Sequence, residues 1–272
     1  MTEQKQEKLY FLGIGGTGMA SVAGLFQEAG YRVTGSDAGV YPPMSTMLDE
    51  LGIKVRTPYS PTNLNDEKPD QIVIANVLSR GNEELERALS MGIPYTSFPA
   101  ILGERILKQR ITAVVAGTHG KTTTTSLLAH VLDCIGENPG FVIGGLPRNF
   151  PRSFRLGRGK LFAIEGDEYD TAFFDKGPKF LHYCPTYAIL NNVEYDHADI
   201  YPNVEAIEAQ FEKLAKLVKD PSKIIANVDD PGVFRILDRI GLLPHVTRVA
   251  TLGREEKADV RLLQTTAGQN TD

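Results

Sequence analysis

The chain is 272 residues long, enough for one large domain or two ordinary ones, and with 42% hydrophobic and 23% charged residues it excludes long disordered tracts. Its net charge of -5 argues against the basic field of a general nucleic-acid binder, and two cysteines outside any CxxC pair, Cys134 and Cys184, exclude a disulfide framework. No apolar run approaches the roughly 20 residues of a membrane span, and the polar leader has no apolar signal segment, so no nucleic acid or membrane partner is expected and the compartment is read as cytoplasmic.

A first series of elements starts with the apolar run 9–14, which stops at glycines and reads as a buried strand. Residues 19–29 have helical spacing ended by Gly30, and residues 31–35 read as a second strand. A helix over 44–51, a strand over 71–75 and a charged helix over 83–91 follow. A second series opens with the continuous apolar strand 111–116, a glycine-containing turn and a helix over 123–135. Residues 161–164 and 187–190 are further buried strands, 204–219 an amphipathic helix, and 223–227 another strand. Strands alternating with helices predict an α/β protein with parallel sheets and crossover helices. The two series divide near Lys108, giving expected domains 1–109 and 110–272, a Rossmann-like unit followed by an ATPase-type unit. The final residues read as a loop, so the second domain is expected to be incomplete at its C-terminal end.

The strongest chemical signal is Gly117-Thr118-His119-Gly120-Lys121-Thr122, between a strand and a helix. Glycines allow a tight turn whose N–H groups face phosphate oxygens, and the following helix presents a partly positive end. A lysine here neutralises outer phosphates, and a hydroxyl one residue later suits Mg²⁺. The run is a shortened form of the usual pattern, with Val115 where a further glycine is normal.

Glu165 follows the strand 161–164, so a parallel sheet delivers it to the same edge as the phosphate loop, in reach of a metal at Thr122. Asp167, Glu168 and Asp170 crowd the same turn; Asp167 reads as a solvated acid, while Glu168 and Asp170 are candidates for the site. Asn192 and His197 follow the strand 187–190 and reach that edge too. An asparagine can pair with an adenine edge, and a neutral imidazole can bind metal or touch phosphate. Nearer the N-terminus, Gly13-Ile14-Gly15-Gly16-Thr17-Gly18 matches G-x-G-x-x-G, with Asp37 at the end of the next strand. That pattern admits a diphosphate and a ribose, whether from UDP or from NAD.

Together these motifs resemble the Mur ligases, over nearly the whole chain. The resemblance implies that the N-terminal part takes UDP-N-acetylmuramate, with Gly15, Gly16, Thr17, Gly18 and Asp37 positioning UDP. Asn76, Ser79 and Arg80 are further candidates for that pocket, with Glu168 and Asp170 on the acidic turn. Gly117, Thr118, His119, Gly120, Lys121, Thr122 and Thr123 match the family's ATP loop, and Asn192 its adenine contact. Lys121, Glu165 and His197 are the implied catalytic residues; Thr122 and Glu165 would hold one Mg²⁺, and His197 with Glu165 a second. Within the family, the runs Tyr41-Pro42-Pro43-Met44-Ser45-Thr46 and Asp196-His197-Ala198-Asp199 look like the branch that joins UDP-N-acetylmuramate to a murein tripeptide. The L-alanine-adding branch is the alternative. Outside the class, the glycine motif leaves a nicotinamide-dependent oxidoreductase or a non-catalytic nucleotide-binding module as rivals.

Overall fold

The structure, a computed structural model, describes residues 6–196, 201–251 and 258–262. It is an α/β protein built on two main sheets, as the alternating pattern implies. The first has five parallel strands in the order β3-β2-β1-β4-β5: β1 (Lys8–Leu12), β2 (Arg32–Ser36), β3 (Lys54–Arg56), β4 (Gln71–Ile74) and β5 (Tyr95–Ser97). Its crossovers include α1 (Thr17–Glu28), α2 (Met44–Glu50), α3 (Asn63–Glu67) and α4 (Glu83–Ser90). The order reverses between β1 and β4, and a crevice opens at that switch point, beyond the carboxyl ends of the strands. The central strand β1 is buried on both faces, which explains its unbroken apolar run. A buried polar hub locks this half: Glu84 of α4, fully buried, accepts hydrogen bonds from Tyr10, Ser36, Ser60 and Asn63.

After α5 (Phe98–Arg105), a 3₁₀ turn at Leu107–Gln109 leads into the second sheet. Its order is β15-β14-β13-β12-β6-β9-β7-β8, parallel except for the last pair. The strands are β6 (Ile111–Ala116), β7 (Gly140–Val142), β8 (Phe154–Arg155), β9 (Leu161–Gly166), β12 (Tyr187–Leu190), β13 (Ile224–Asn227), β14 (Thr247–Ala250) and β15 (Val260–Arg261). A hairpin of β10 (Asp170–Ala172) and β11 (Asp175–Pro178) stands apart between β9 and β12. The helices are α6 (Lys121–Cys134), α7 (Val204–Leu217) and α8 (Pro231–Arg239). Strand β6 lies between β9 and β12, so three strand ends open on one point. Among the described residues no helix is long and apolar enough to cross a membrane.

The halves pack through α1 and α5. Gly24 of α1 lies against the Phe154 ring, where a Cβ would come within 2.3 Å, and Ser21 meets Ser153 at 2.7 Å. Gly103 of α5 sits on the backbone of His182, in the 3₁₀ turn Lys179–His182 that follows β11. Most element ends shift by one or two residues from the sequence reading, and two of these shifts bear on the site. Helix α6 starts at Lys121 rather than residue 123, because Gly120 in the left-handed region (φ 77°) serves as its N-cap. Strand β9 runs on to Gly166, so Glu165 lies inside the strand end, opposite Val115, instead of in the following loop.

Candidate functional site

Two loops dominate the site. At the end of β1, Gly13 turns the chain at φ 87°, packed so closely that a Cβ would lie 2.6 Å from that of Ala75. The next residues start α1, with Gly16 as an N-cap that has nothing within 4 Å of a built Cβ. Asp37, just past β2, fixes this loop by accepting the Gly15 N–H at 2.8 Å. Gly15, Gly16, Thr17, Gly18, Asp37 and Asn76 all line a cavity of about 450 Å³. Tyr59 lines it as well; burial, and then the Asp37 charge, push its phenol up to about 12.

The second loop follows β6 and is held from β12. The Asn192 carboxamide accepts the His119 N–H at 2.8 Å and donates to the His119 carbonyl at 3.2 Å. Thr118 donates its N–H to the Asn192 carbonyl, and its hydroxyl accepts the Glu194 N–H. Gly117 packs against Asn191, where a Cβ would meet the Asn191 Cβ at 2.9 Å. The Lys121 ammonium folds back on the loop: it donates to the Gly117 carbonyl at 2.7 Å and to both carboxylate oxygens of buried Glu168, at 3.1 and 2.9 Å.

Beside the loop, the Thr122 hydroxyl donates to Glu165 at 3.0 Å, and the Gly144 N–H donates to the other Glu165 oxygen at 2.6 Å. Burial pushes the Glu165 carboxyl above its usual range; Gly144, Thr122 and Lys121 pull it back and Asp167 adds to the rise. A hydroxyl and a carboxylate form the hard-oxygen pair that Mg²⁺ accepts, since this ion keeps several waters and needs only one or two protein ligands. Among the described residues, no cluster of three His, Cys, Asp or Glu is placed to hold a metal.

Thr118, Lys121 and Glu165 line a second cavity of about 240 Å³. Both cavities share Gly18, Phe98, Gly144, Asp167 and Lys179 as walls. They therefore form one cleft, running from the glycine loop of the first sheet to the phosphate loop of the second.

The family profile described as "Mur ligase family, catalytic domain" matches residues 8–110, and that of the "Mur ligase middle domain" matches residues 115–271. The chain belongs to the Mur ligase family. Similar curated proteins include the UDP-N-acetylmuramate–L-alanyl-γ-D-glutamyl-meso-2,6-diaminoheptandioate ligase of Escherichia coli, 48% identical over 80% of this chain and 48% of its own. The UDP-N-acetylmuramate–L-alanine ligase of Chlorobium phaeobacteroides is 36% identical over 93% of this chain and 51% of its own. This Mur ligase chain thus spans about half the length of the curated relatives it matches. Among solved structures, the tripeptide ligase of Neisseria meningitides superposes with a TM-score of 0.84 at 45% identity, covering 90% of this chain and 78% of that one.

Of the residues singled out in this Mur ligase sequence, Gly15, Gly16, Thr17, Gly18, Asp37, Asn76, Thr118, Lys121 and Glu165 line the cleft. Gly117, His119, Gly120, Thr122 and Thr123 belong to the phosphate loop and the start of α6 without lining it, and Ser79, Arg80, Glu168, Asp170 and Asn192 line neither cavity. Arg80 is drawn away by Glu86, at 2.7 Å, and neither it nor Ser79 lines the cleft. Asp170 starts β10 and pairs with Lys176 at 3.1 Å, outside both cavities. Glu168 lies behind Lys121, in contact with the lysine rather than with the cavity space. Asn192 meets the loop backbone through both ends of its carboxamide. His197 lies outside the described residues. Asp167, read as a solvated acid, instead pairs with Lys179 and lines both cavities. Sequence reasoning missed Lys179 altogether, along with Gly144 and Phe98. The pair Gly144-Gly145 after a short strand was the one available signal; Lys179 gains meaning only from its burial.

Proposed function

We propose that residues 1–109 of this chain bind UDP-N-acetylmuramate, that residues 110–272 bind ATP with Mg²⁺, and that the protein carrying them is a ligase. The reaction joins the lactyl carboxyl of UDP-N-acetylmuramate to the amine of L-alanyl-γ-D-glutamyl-meso-diaminopimelate, through an acyl phosphate. One observation carries the reading: a single cleft connects a loop suited to a nucleotide-sugar diphosphate with a loop suited to ATP. An oxidoreductase reading leaves the second loop and Glu165 without a task.

The residues divide the work as follows. Backbone N–H groups at the start of α1 face the UDP diphosphate, with the partial charge of a helix N-terminus behind them. The phosphate loop and the α6 N-terminus do the same for ATP. Lys121, released from Glu168, offsets charge on the transferring phosphoryl group. Thr122 and Glu165, hydrogen-bonded to each other, would hold Mg²⁺, which when bound would supply charge neutralisation between two anions. Dividing the substrates between two walls of one cleft brings carboxylate and γ-phosphate together, the main catalytic requirement of such a transfer.

The tripeptide is favoured over L-alanine because the 48% identical relative bears the tripeptide name and the L-alanine relative stands at 36%. The test is phosphate release by the protein at the length of its relatives, given ATP, UDP-N-acetylmuramate and either amine. Release that depends on the tripeptide is expected. Release with L-alanine alone would select the other branch, and no release with either amine would remove the ligase reading.

A further inference from the structure

We propose that Lys179 receives the carboxylate of the acid substrate at the junction of the two cavities, and so sets the preference for an acid over a neutral sugar. The inference rests on the ligase reading above and adds a specificity residue to it.

Lys179 begins the 3₁₀ turn after β11, and 7% of the residue is exposed. Burying an ammonium is costly unless charge and hydrogen bonds compensate. Here Asp167 compensates, with one oxygen on the ammonium and the other accepting the Tyr169 N–H at 3.1 Å. The rings of Phe98 and Tyr169 lie 5.7 and 5.6 Å from the ammonium, within cation–π range. Phe98 comes from the half that carries the first sheet, so the charge is clamped from both halves at the middle of the cleft.

Position decides what this charge is for. Lys179 is the only basic side chain lining the glycine-loop cavity among the described residues, and the only one shared by both cavities. The other ionisable carboxyl and ammonium groups in the glycine-loop cavity are the carboxylates Asp37 and Asp167. A diphosphate sugar that also carries a carboxylate would enter this cavity against two negative charges. Its diphosphate is drawn to the α1 N-terminus, and its carboxylate must point toward the phosphate loop, where it is phosphorylated. The route between them passes Lys179. A primary ammonium has three N–H donors, and Asp167 takes one, so the ligand carboxylate can be received without breaking the pair. A charge-assisted bond to a carboxylate in a partly dry site is of the strong kind.

The test is calorimetric titration of the chain with UDP-N-acetylmuramate and with UDP-N-acetylglucosamine, which lacks the lactyl carboxylate. The wild-type chain should prefer the acid by about tenfold or more, the scale of one charge-assisted hydrogen bond. Lys179→Met should bring the two affinities within about twofold, leaving UDP-N-acetylglucosamine binding unchanged, and Lys179→Arg should restore the preference. If Lys179→Met does not melt cooperatively, the double variant Lys179→Met/Asp167→Asn removes both charges and carries the same test. A preference that survives the loss of Lys179 overturns the inference and leaves the ligase reading standing. Equal loss of both ligands overturns it too, because Lys179 would then act on the shared UDP moiety, and so does a wild-type chain with no preference. A wild-type chain that binds neither ligand removes the ligase reading and this inference together.

Discussion

The molecule uses one design twice, with opposite outcomes. Residues 13–18 and 117–122 each turn from a central strand into a helix through glycines. The first loop is open: Asp37 fixes it from behind, Gly16 faces empty space, and it has no cation of its own. The second is closed on itself: Asn192 ties the His119 backbone, and Lys121 is folded onto the loop carbonyls and Glu168. The only basic side chain lining the open loop's cavity among the described residues is Lys179, from the other half of the molecule, whereas the closed loop keeps its own lysine on internal partners. An open loop and a loop closed on internal partners thus share one cleft.

Substitutions can break this contrast. The largest effect is expected from Lys121→Ala, which should lower ATP–Mg²⁺ affinity by about 100-fold or more while UDP-N-acetylmuramate binding stays within about twofold, both read by calorimetry. Equal losses would mean that the loops do not serve separate ligands. Gly13→Ala combines a left-handed backbone with a 2.6 Å approach to Ala75, and should cost about 2 kcal/mol or more in chemical denaturation. A stability within 0.5 kcal/mol of wild type, the scale of an ordinary surface change, would show that the turn is not constrained in this way.

Asn192→Ala sharpens the second half of the contrast. It removes two hydrogen bonds that hold the phosphate loop, so ATP and GTP affinities should fall together, by about tenfold. A selective loss of ATP would instead assign Asn192 to the adenine edge. The smallest effect belongs to Gly16→Ala. Its methyl meets no protein atom within 4 Å, so stability should change by less than about 1 kcal/mol, while UDP-N-acetylmuramate binding weakens by about threefold as the methyl enters the cavity. Unchanged binding in that variant would move the ligand away from the α1 N-terminus.

The strands that carry the chemistry were readable as unbroken apolar runs, β6 buried on both faces past its first residue and β12 buried on one face and half-buried on the other. β6 and β12 have the limits that their apolar runs mark, and they place the phosphate loop beside Asn192. The two glycine loops were readable because tight turns into helices leave a composition trace. What escaped was short or depended on tertiary contacts. β3, β5 and β7 have three residues each, too few to establish a period, and α5 opens with Phe98-Pro99 without a polar face. The sequence reading set Asp167 aside as solvated and favoured Glu168 and Asp170, whereas of the three only Asp167 lines the cleft. The difference arises because Lys179 arrives from β11 to pair with Asp167, while Lys121 takes Glu168 and Lys176 takes Asp170. Arg80 shows the reverse: its place after a strand made it a candidate for the UDP-N-acetylmuramate pocket, but Glu86 six residues on holds it outside both cavities.

The central claim is that the glycine loop of the first sheet takes a UDP-linked sugar acid and not a dinucleotide, next to a separate ATP loop in the same cleft. Calorimetric titration of the chain with UDP-N-acetylmuramate, in the presence and absence of saturating ATP–Mg²⁺ and with NADH in parallel, tests it most directly. The expected result is binding of the sugar acid at one site per chain, retained when ATP is bound, with no heat from NADH. Binding of NADH with none of the sugar acid would contradict the claim, and displacement of the sugar acid by ATP would show that the two loops serve a single nucleotide.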